Sequence, residues 1–257
     1  MSEPILRVEN LHKHFGGLKA VNGVSFQVAP GEILGILGPN GAGKTVCFNM
    51  ISGVYKPTAG KIVFDGQRTD GLPPHRLAAL GLGRTFQIVK PFASLTVLEN
   101  VLVARGIANY GRFGRIWGPW RSKDQVRAAM EVLDKVGLAD LAGRKAGLLP
   151  LGNLRRLEIA RALVVGRKLI LLDESFSGLR HAEITRLEDL IRAIRQMGIT
   201  VLLIEHNLRV SMKLCDRIVV LEHGRKIAEG KPEQIQSDLR VIEAYLGRKR
   251  RNNAAGG

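Results

Sequence analysis

Lys44 and Thr45 close the run Gly38-Pro39-Asn40-Gly41-Ala42-Gly43-Lys44-Thr45, which fits the pattern G-x-x-x-x-G-K-[ST]. The run follows the apolar stretch Ile33–Leu37 and opens a helical one, the context the pattern requires. Glycines at 38, 41 and 43 let the backbone curl so that successive N–H groups point inward, and the helix N-terminus adds its dipole. Such a cradle holds phosphate oxygens. Lys44 would bridge β- and γ-phosphates and the Thr45 hydroxyl would ligate Mg²⁺. A second pair of groups, Asp173 and Glu174, ends the apolar run Leu169–Leu172. Two acids after a strand are often no more than a polar strand end, but beside a phosphate loop they acquire roles. Asp173 would hold the metal through water, and Glu174 would accept a proton from attacking water.

These groups need rigid elements to position them. Short apolar runs at Ile5–Val8, Val21–Val28 and Ile33–Leu37, each bounded by Gly, Pro or Asn, read as strands. The pattern turns helical from Gly43 to Ser52, and Lys61–Phe64 reads as a further strand before Asp65-Gly66. Pro73-Pro74 opens a helix through about Leu80. Between Pro91 and Arg167 the periodicity is mostly helical, as in Asp124–Val136 and Leu154–Val165. Strand runs return at Leu169–Leu172, Thr200–Ile204 and Arg217–Leu221, with an amphipathic helix, Ala182–Met197, between the first two. Continuous Val/Ile/Leu runs alternating with helices predict buried parallel strands covered by helices. The expected organisation is an α/β core from residues 1–87 and 166–235, a helical insertion at 88–165, and a C-terminal tail at 236–257.

In order and spacing these landmarks resemble the ATP-binding cassette (ABC) ATPases over nearly the whole chain. The resemblance implies an α/β P-loop NTPase (RecA-like) core, a helical subdomain and a small N-terminal antiparallel β region. It implies ATP and Mg²⁺ as cofactors, with Gly38, Pro39, Asn40, Gly41, Ala42, Gly43, Lys44, Thr45, Val46 and Asp173 around the nucleotide. Gln87, which ends Arg84-Thr85-Phe86-Gln87, is similar to the glutamine that contacts Mg²⁺ and couples the two subdomains, so the implied metal set is Thr45, Gln87 and Asp173. His206 in Leu203-Ile204-Glu205-His206 resembles the γ-phosphate switch histidine and joins Glu174 and Gln87 as the implied catalytic residues; Phe15 sits where the family places an aromatic against adenine.

Within the family the chain looks most like the ATPases of branched-chain amino acid importers, through Arg-Thr-Phe-Gln, Leu157–Leu163 and the ending Val241-Ile242-Glu243-Ala244-Tyr245-Leu246-Gly247. It departs at the signature segment, where Leu-Ser-Gly-Gly-Gln or Leu-Pro-Tyr-Gly-Gln-Gln is expected. Here stand Leu149, Pro150, Leu151, Gly152, Asn153 and Leu154. Pro150, Leu151, Gly152 and Asn153 would act in trans on the γ-phosphate of a partner subunit, and both glutamines are gone. Ser175 replaces the usual Pro, Arg180 an Asp or Asn of the turn that links two sites across a dimer, and Val46 a common hydroxyl. A nearly complete cis half with an altered trans half favours a heterodimer with a second ABC ATPase over a homodimer.

The implied task is import of a small solute, branched-chain amino acids first, from the cytoplasmic face of the inner membrane as a peripheral subunit. Its implied partners are two transmembrane permease subunits and, indirectly, a periplasmic solute-binding protein. The alternatives are the ATPase of a lipopolysaccharide-type exporter and a low-turnover regulatory cassette. The coupling surface is expected around Gln87–Val101 and the basic stretch after it, with Trp117 and Trp120 as partner contacts or local packing.

Composition sets the outer limits. In 257 residues, 39 Lys+Arg against 23 Asp+Glu give a net charge of +16, and 45% apolar residues suffice for a core. Residues 105–168 carry fourteen Lys/Arg against five Asp/Glu, a surplus that faces something acidic or merely solvates a face. No specific nucleic-acid partner is expected, because tandem cassettes and long coiled-coil insertions are missing. The Arg248–Arg251 cluster reads as a frayed tail. No window approaches eighteen apolar residues, and Met1–Asn10 lacks a basic stretch followed by an apolar one, so neither a membrane span nor a secretory signal is expected. Cys47 and Cys215 lie in apolar stretches without zinc spacing, which predicts buried, reduced thiols.

Overall fold

The computed structural model describes residues 3–85, 91–109 and 122–245. In chain order the elements are β1 (Leu6–Phe15), β2 (Leu18–Val28), β3 (Ile33–Leu37), α1 (Lys44–Ile51), β4 (Ala59–Phe64), β5 (Gln67–Arg68), α2 (Pro74–Leu80), β6 (Leu82–Arg84), α3 (Val97–Asn109), α4 (Lys123–Lys135), α5 (Leu151–Val165), β7 (Leu169–Asp173), α6 (His181–Gln196), β8 (Thr200–Ile204), α7 (Leu208–Leu214), β9 (Arg217–Glu222), β10 (Arg225–Gly230) and α8 (Pro232–Ser237). Residues 239–245 are also helical. The elements form two compact units, one of Met1–Leu72 and Thr200–Gly257, the other of Pro73–Ile199.

In the first unit an antiparallel sheet runs in the order β2-β1-β4-β5. Gly16 in the left-handed region (φ 57°) makes the short β1–β2 connection. The sequence predicts a strand only over Ile5–Val8, whereas β1 continues to Phe15. Asn10 at φ 46° and register shifts between Val8 and His12 break the alternation there, so the second half of the strand carries no simple period-two pattern. The other strands of this unit place β3 between β8 and β9, parallel to both, with β10 antiparallel on the outer side of β9. All five residues of β3 and of β8 are buried, which explains their unbroken apolar composition. Strand β10, rich in charge, was not predicted. A tight His223-Gly224 turn, both residues at positive φ, folds it back onto β9. Arg217 fastens this side by donating to Glu32 at 2.8 Å and to the Gln27 carbonyl at 2.6 Å.

In the second unit β6 and β7 pair in parallel, with Gly83 opposite Ile170 and Arg84 opposite Leu171. Gly83 has no space for a side chain: a Cβ there would lie 2.3 Å from the Ala162 carbonyl at the end of α5. Strand β6 is therefore legible only as the glycine that lets α5 pack against it. Helices α3, α4 and α5 pack together, as the helical periodicity of residues 91–167 predicts. The fully buried Asn100 side chain accepts from the Phe92 amide at 2.9 Å and donates to the carbonyls of Thr96 (2.9 Å) and Phe92 (3.1 Å), pinning the loop ahead of α3.

Both thiols are buried as predicted, Cys215 against Gly35, and burial pushes each up to about 12. The thiolate is the reactive form. Neither cysteine should react with iodoacetamide at pH 8 in the native protein, and both should react after denaturation. Mass-spectrometric labelling of native protein at either position would contradict this burial.

Candidate functional site

The phosphate-loop residues occupy the turn from β3 into α1. Gly38, Gly41 and Gly43 adopt φ of 147°, 79° and 98°, and two of them are also sterically obligatory. A Cβ on Gly38 would lie 2.1 Å from the Leu221 carbonyl, and one on Gly43 2.4 Å from the Ala20 carbonyl. The loop is thus clamped from outside by β9 and β2, and its inner side is bare backbone. Lys44, itself buried, donates from Nζ to the carbonyls of Gly38 (2.6 Å) and Pro39 (3.1 Å), so its ammonium is held over the loop it belongs to. Helix α1 starts without a side-chain cap and without an acid in its first turn, which leaves the positive end of the helix for an anion.

Asp173 is the last residue of β7 and is 1% exposed. Arg84 at the end of β6 donates to its Oδ2 at 3.1 Å, and the Asp173 amide donates to the Thr85 hydroxyl at 3.1 Å. Burial lowers the Arg84 guanidinium below its ordinary range while Asp173 opposes the change. The Arg-Thr part of Arg84-Thr85-Phe86-Gln87 therefore has a specific task, anchoring the strand-end acid. Gln87 lies outside the described residues. Glu174 follows at φ 48°, a left-handed conformation that costs about 1 kcal/mol or more for a non-glycine residue and turns its side chain away from the strand's alternation.

His206 is exposed between β8 and the Asn207 cap of α7, whose side chain accepts from the Val210 amide at 3.3 Å. Phe15, 44% exposed at the end of β1, stands edge to face with Tyr55 at 5.5 Å, with Lys13 Nζ 5.1 Å from its ring centre. An exposed, braced ring of that kind can receive a flat ligand.

Pro150 precedes α5, so the first turn of this 15-residue helix has no side-chain cap, and Leu151 is 39% exposed. Gly152 is tightly covered: a Cβ there would lie 2.4 Å from Glu183 Oε1. The other carboxylate oxygen of Glu183 accepts from the Arg180 amide at 2.9 Å. One side chain thus ties the turn containing Arg180 to the segment containing Gly152. Asn153 accepts from Arg156, which also donates to the Gly137 carbonyl at 2.8 Å. Glu183 and Asn100 are not singled out by the sequence; only the three-residue spacing of Arg180 and Glu183, a capping-box interval, marks one of them.

Several cations of the basic stretch are used internally. Arg155 pairs with Glu158 at 3.3 Å with both buried, Arg161 lies 5.1 Å from the Phe92 ring, and Arg127 pairs with Asp124. Trp117, Trp120 and the Arg248–Arg251 cluster lie outside the described residues.

Comparison with known proteins agrees with this geometry. A family model described as ABC transporter matches residues 21–177, and one described as branched-chain amino acid ATP-binding cassette transporter matches residues 225–250. The chain is 43% identical over 253 residues to the high-affinity branched-chain amino acid transport ATP-binding protein BraF of Pseudomonas aeruginosa, covering 96% of this chain and 99% of that protein. It is 43% identical over 255 residues to the corresponding protein LivG of Escherichia coli (strain K12), with the same coverage. Among solved structures, the ADP conformation of an ATP-binding cassette of an ABC transporter superposes with a TM-score of 0.86 at 35% identity, covering 96% of this chain and 100% of that one. The α/β P-loop architecture with an N-terminal antiparallel sheet, expected from sequence, is the architecture found.

Removing Arg84 would take away the guanidinium that donates to the buried Asp173 carboxylate. Arg84→Ala should destabilise the protein by about 3–5 kcal/mol, the cost of breaking a buried pair. Urea unfolding checks this, and a loss below about 1 kcal/mol would show that the pair is not an anchor.

Proposed function

The chain belongs to the ABC transporter family, and we propose that it is the ATP-hydrolysing subunit of an importer that takes up branched-chain amino acids. The observation that carries the reading is the clamped glycine loop with Lys44 drawn over it, in a chain 43% identical across nearly its full length to branched-chain amino acid transport ATP-binding proteins.

The loop fits nucleotide phosphates: it ends at the uncapped N-terminus of α1, and Lys44 can exchange its two carbonyl acceptors for phosphate oxygens. Phe15 stacks on the base. Among the described residues no group of three His, Cys, Asp or Glu could hold a metal alone, so Thr45, Asp173 and Gln87 would hold Mg²⁺ together with phosphate oxygens. Mg²⁺ bound there neutralises charge on the phosphates. Glu174 takes the proton from the attacking water, and His206 donates to the γ-phosphate. Pro150, Leu151, Gly152 and Asn153 face the γ-phosphate of a partner.

Residues 1–87 and 166–235 serve as the ATP-binding core, 88–165 as the helical signature subdomain and 236–257 as the tail. The partners are a second ABC ATPase and two permease subunits, contacted around 87–101, where Asn100 gives the described part of the loop a fixed shape. A peripheral position at the cytoplasmic face is in keeping with helices none of which, among the described residues, is long and apolar enough to cross a membrane.

Lys44→Ala should abolish MgATP binding, whereas Glu174→Gln should retain it and lower turnover by about 10²–10⁴-fold. Unchanged steady-state hydrolysis by Glu174→Gln in the assembled transporter would refute the assignment. The altered signature makes the two sites of a heterodimer unequal. Of the four combinations of wild-type and acid-replaced ATPase subunits, those carrying Glu174→Gln here should lose most activity, and equal losses from either replacement would show that the signature changes are neutral.

A further inference from the structure

Helix α5 begins without a cap of its own. Pro150 offers no side-chain oxygen to the amides of the first turn, and a helix start that lacks such an acceptor is less stable than one that has it. Its support comes from the first turn of another helix, α6, in the person of Glu183. One carboxylate oxygen, Oε1, lies 2.4 Å from where a Cβ on Gly152 would stand, and the other, Oε2, accepts from the Arg180 amide at 2.9 Å.

A second contact joins the same two segments. Leu151 Cδ2 lies 3.0 Å from where a Cβ on Gly178 would stand, so the residue before Gly152 packs on the turn that leads to Arg180. That turn is closed by its own backbone, with the Ser177 amide on the Glu174 carbonyl at 3.2 Å and the Leu179 amide on the Phe176 carbonyl at 3.3 Å. Fixing its end at Arg180 therefore fixes its course. The space left at the junction, lined among others by Gly152, Arg156, Glu183 and Arg186, is about 30 Å³, room for one water. Gly152 is buried in this contact, while Leu151 and Arg180 on either side of it are exposed.

We propose that Glu183 is a positioning residue for the contact this chain makes with a partner's nucleotide: it holds the start of α5 and the turn bearing Arg180 at one spacing, so that both meet the partner as a single surface. This rests on the reading of Pro150, Leu151, Gly152 and Asn153 as a segment acting in trans on a second ABC ATPase. Glu183 itself touches no nucleotide. Its contact with the Arg180 amide needs an acceptor oxygen on a side chain of this length, which glutamine also supplies at this position of a helix.

The test is ATP-driven closure of the assembled transporter, with Glu174→Gln in this chain and the corresponding acid replaced in the second ATPase so that bound ATP is not consumed. Energy transfer between dyes on the two ATPase subunits reads closure against ATP concentration. In parallel, a fluorescent ATP analogue bound to the full chain alone reports on its own phosphate loop, and thermal unfolding reports on stability. Glu183→Ala should raise the ATP concentration for half-closure about fivefold or more, the effect of one lost hydrogen bond, while the chain alone binds the analogue within twofold of wild type. Glu183→Gln should close as wild type does. Leu190→Ala, which truncates a buried side chain further along α6, should lower the unfolding temperature and shift closure less than twofold. A shift below twofold in Glu183→Ala, an equal shift in Leu190→Ala, or an equal loss of binding by the chain alone overturns the proposal. So does an equal shift in Glu183→Gln, which would show that charge beside Arg156 and Arg186 matters and spacing does not. If the complex with both acids replaced fails to close with ATP, the reading in trans fails and the proposal with it; if it closes and Glu183→Ala leaves it unchanged, only the role of Glu183 is wrong.

Discussion

The backbone at Gly38 passes so close to the Leu221 carbonyl that no side chain fits between them, and the nucleotide-binding half of the molecule is organised around that approach. Parallel pairing of β3 with β9 sets the distance, since Leu37 lies opposite Val220 and the chain has no slack before the turn. The same strand β9 is held at its start by Arg217 on Glu32 and at its end by the hairpin into β10. On the far side, Gly43 is pressed against the Ala20 carbonyl of β2. The loop is therefore shaped by strands on two sides, ahead of the uncapped N-terminus of α1. Preorganisation of this kind means that the donors need not be rearranged when a polyanion arrives. Only Lys44 has to move.

The strand-end acid is held by a different device. Asp173 is almost fully buried, where an ionic group needs a partner. The guanidinium of Arg84 donates to its carboxylate, and the hydroxyl of Thr85 accepts from its backbone amide. Because Arg84 and Thr85 continue β6, they are brought to Asp173 by the parallel register of β6 on β7. The residues leading to Gln87 thus act as structural anchors of the acid, and this gives a physical reason for their occurring together as a run.

The phosphate loop and the buried strands were legible in the sequence because each is written in consecutive residues: eight positions for the loop, and five for Ile33–Leu37, Leu169–Asp173 and Thr200–Ile204. Elements that depend on a distant partner were not legible. Strand β10 is charged and exposed and exists because Gly224 turns it onto β9. Strand β6 has three residues and is fixed by the fit of Gly83 under α5. The same holds at the candidate sites. Glu183 packs against Gly152 at the start of α5 and Asn100 reaches the backbone of the loop ahead of α3, and residue type alone does not announce such a reach.

The signature segment shows how an altered sequence can keep its shape. With Pro150 in place of a capping hydroxyl, α5 begins on a residue that has φ fixed and no N–H to satisfy. Gly152 remains because Glu183 occupies the space where a side chain would be. Asn153, one methylene shorter than glutamine, is taken up by Arg156 of its own helix, so its amide is engaged within the chain. The backbone donors at the start of α5 are preserved, while the side-chain donors that a glutamine would extend are not. An anion presented to this helix would therefore meet the helix dipole and N–H groups alone, an interaction of roughly 0.3–2 kcal/mol per favourable charge. Charge-assisted side-chain hydrogen bonds would add about 1.5–3 kcal/mol each. In the trans arrangement proposed above, that difference would fall on the partner's nucleotide and would leave the chain's own phosphate loop unaffected. On that proposal, the changes at Leu151, Asn153 and Leu154 would be of a kind that can accumulate in one subunit of an unequal pair without weakening the site assigned to the same subunit's Lys44 and Glu174.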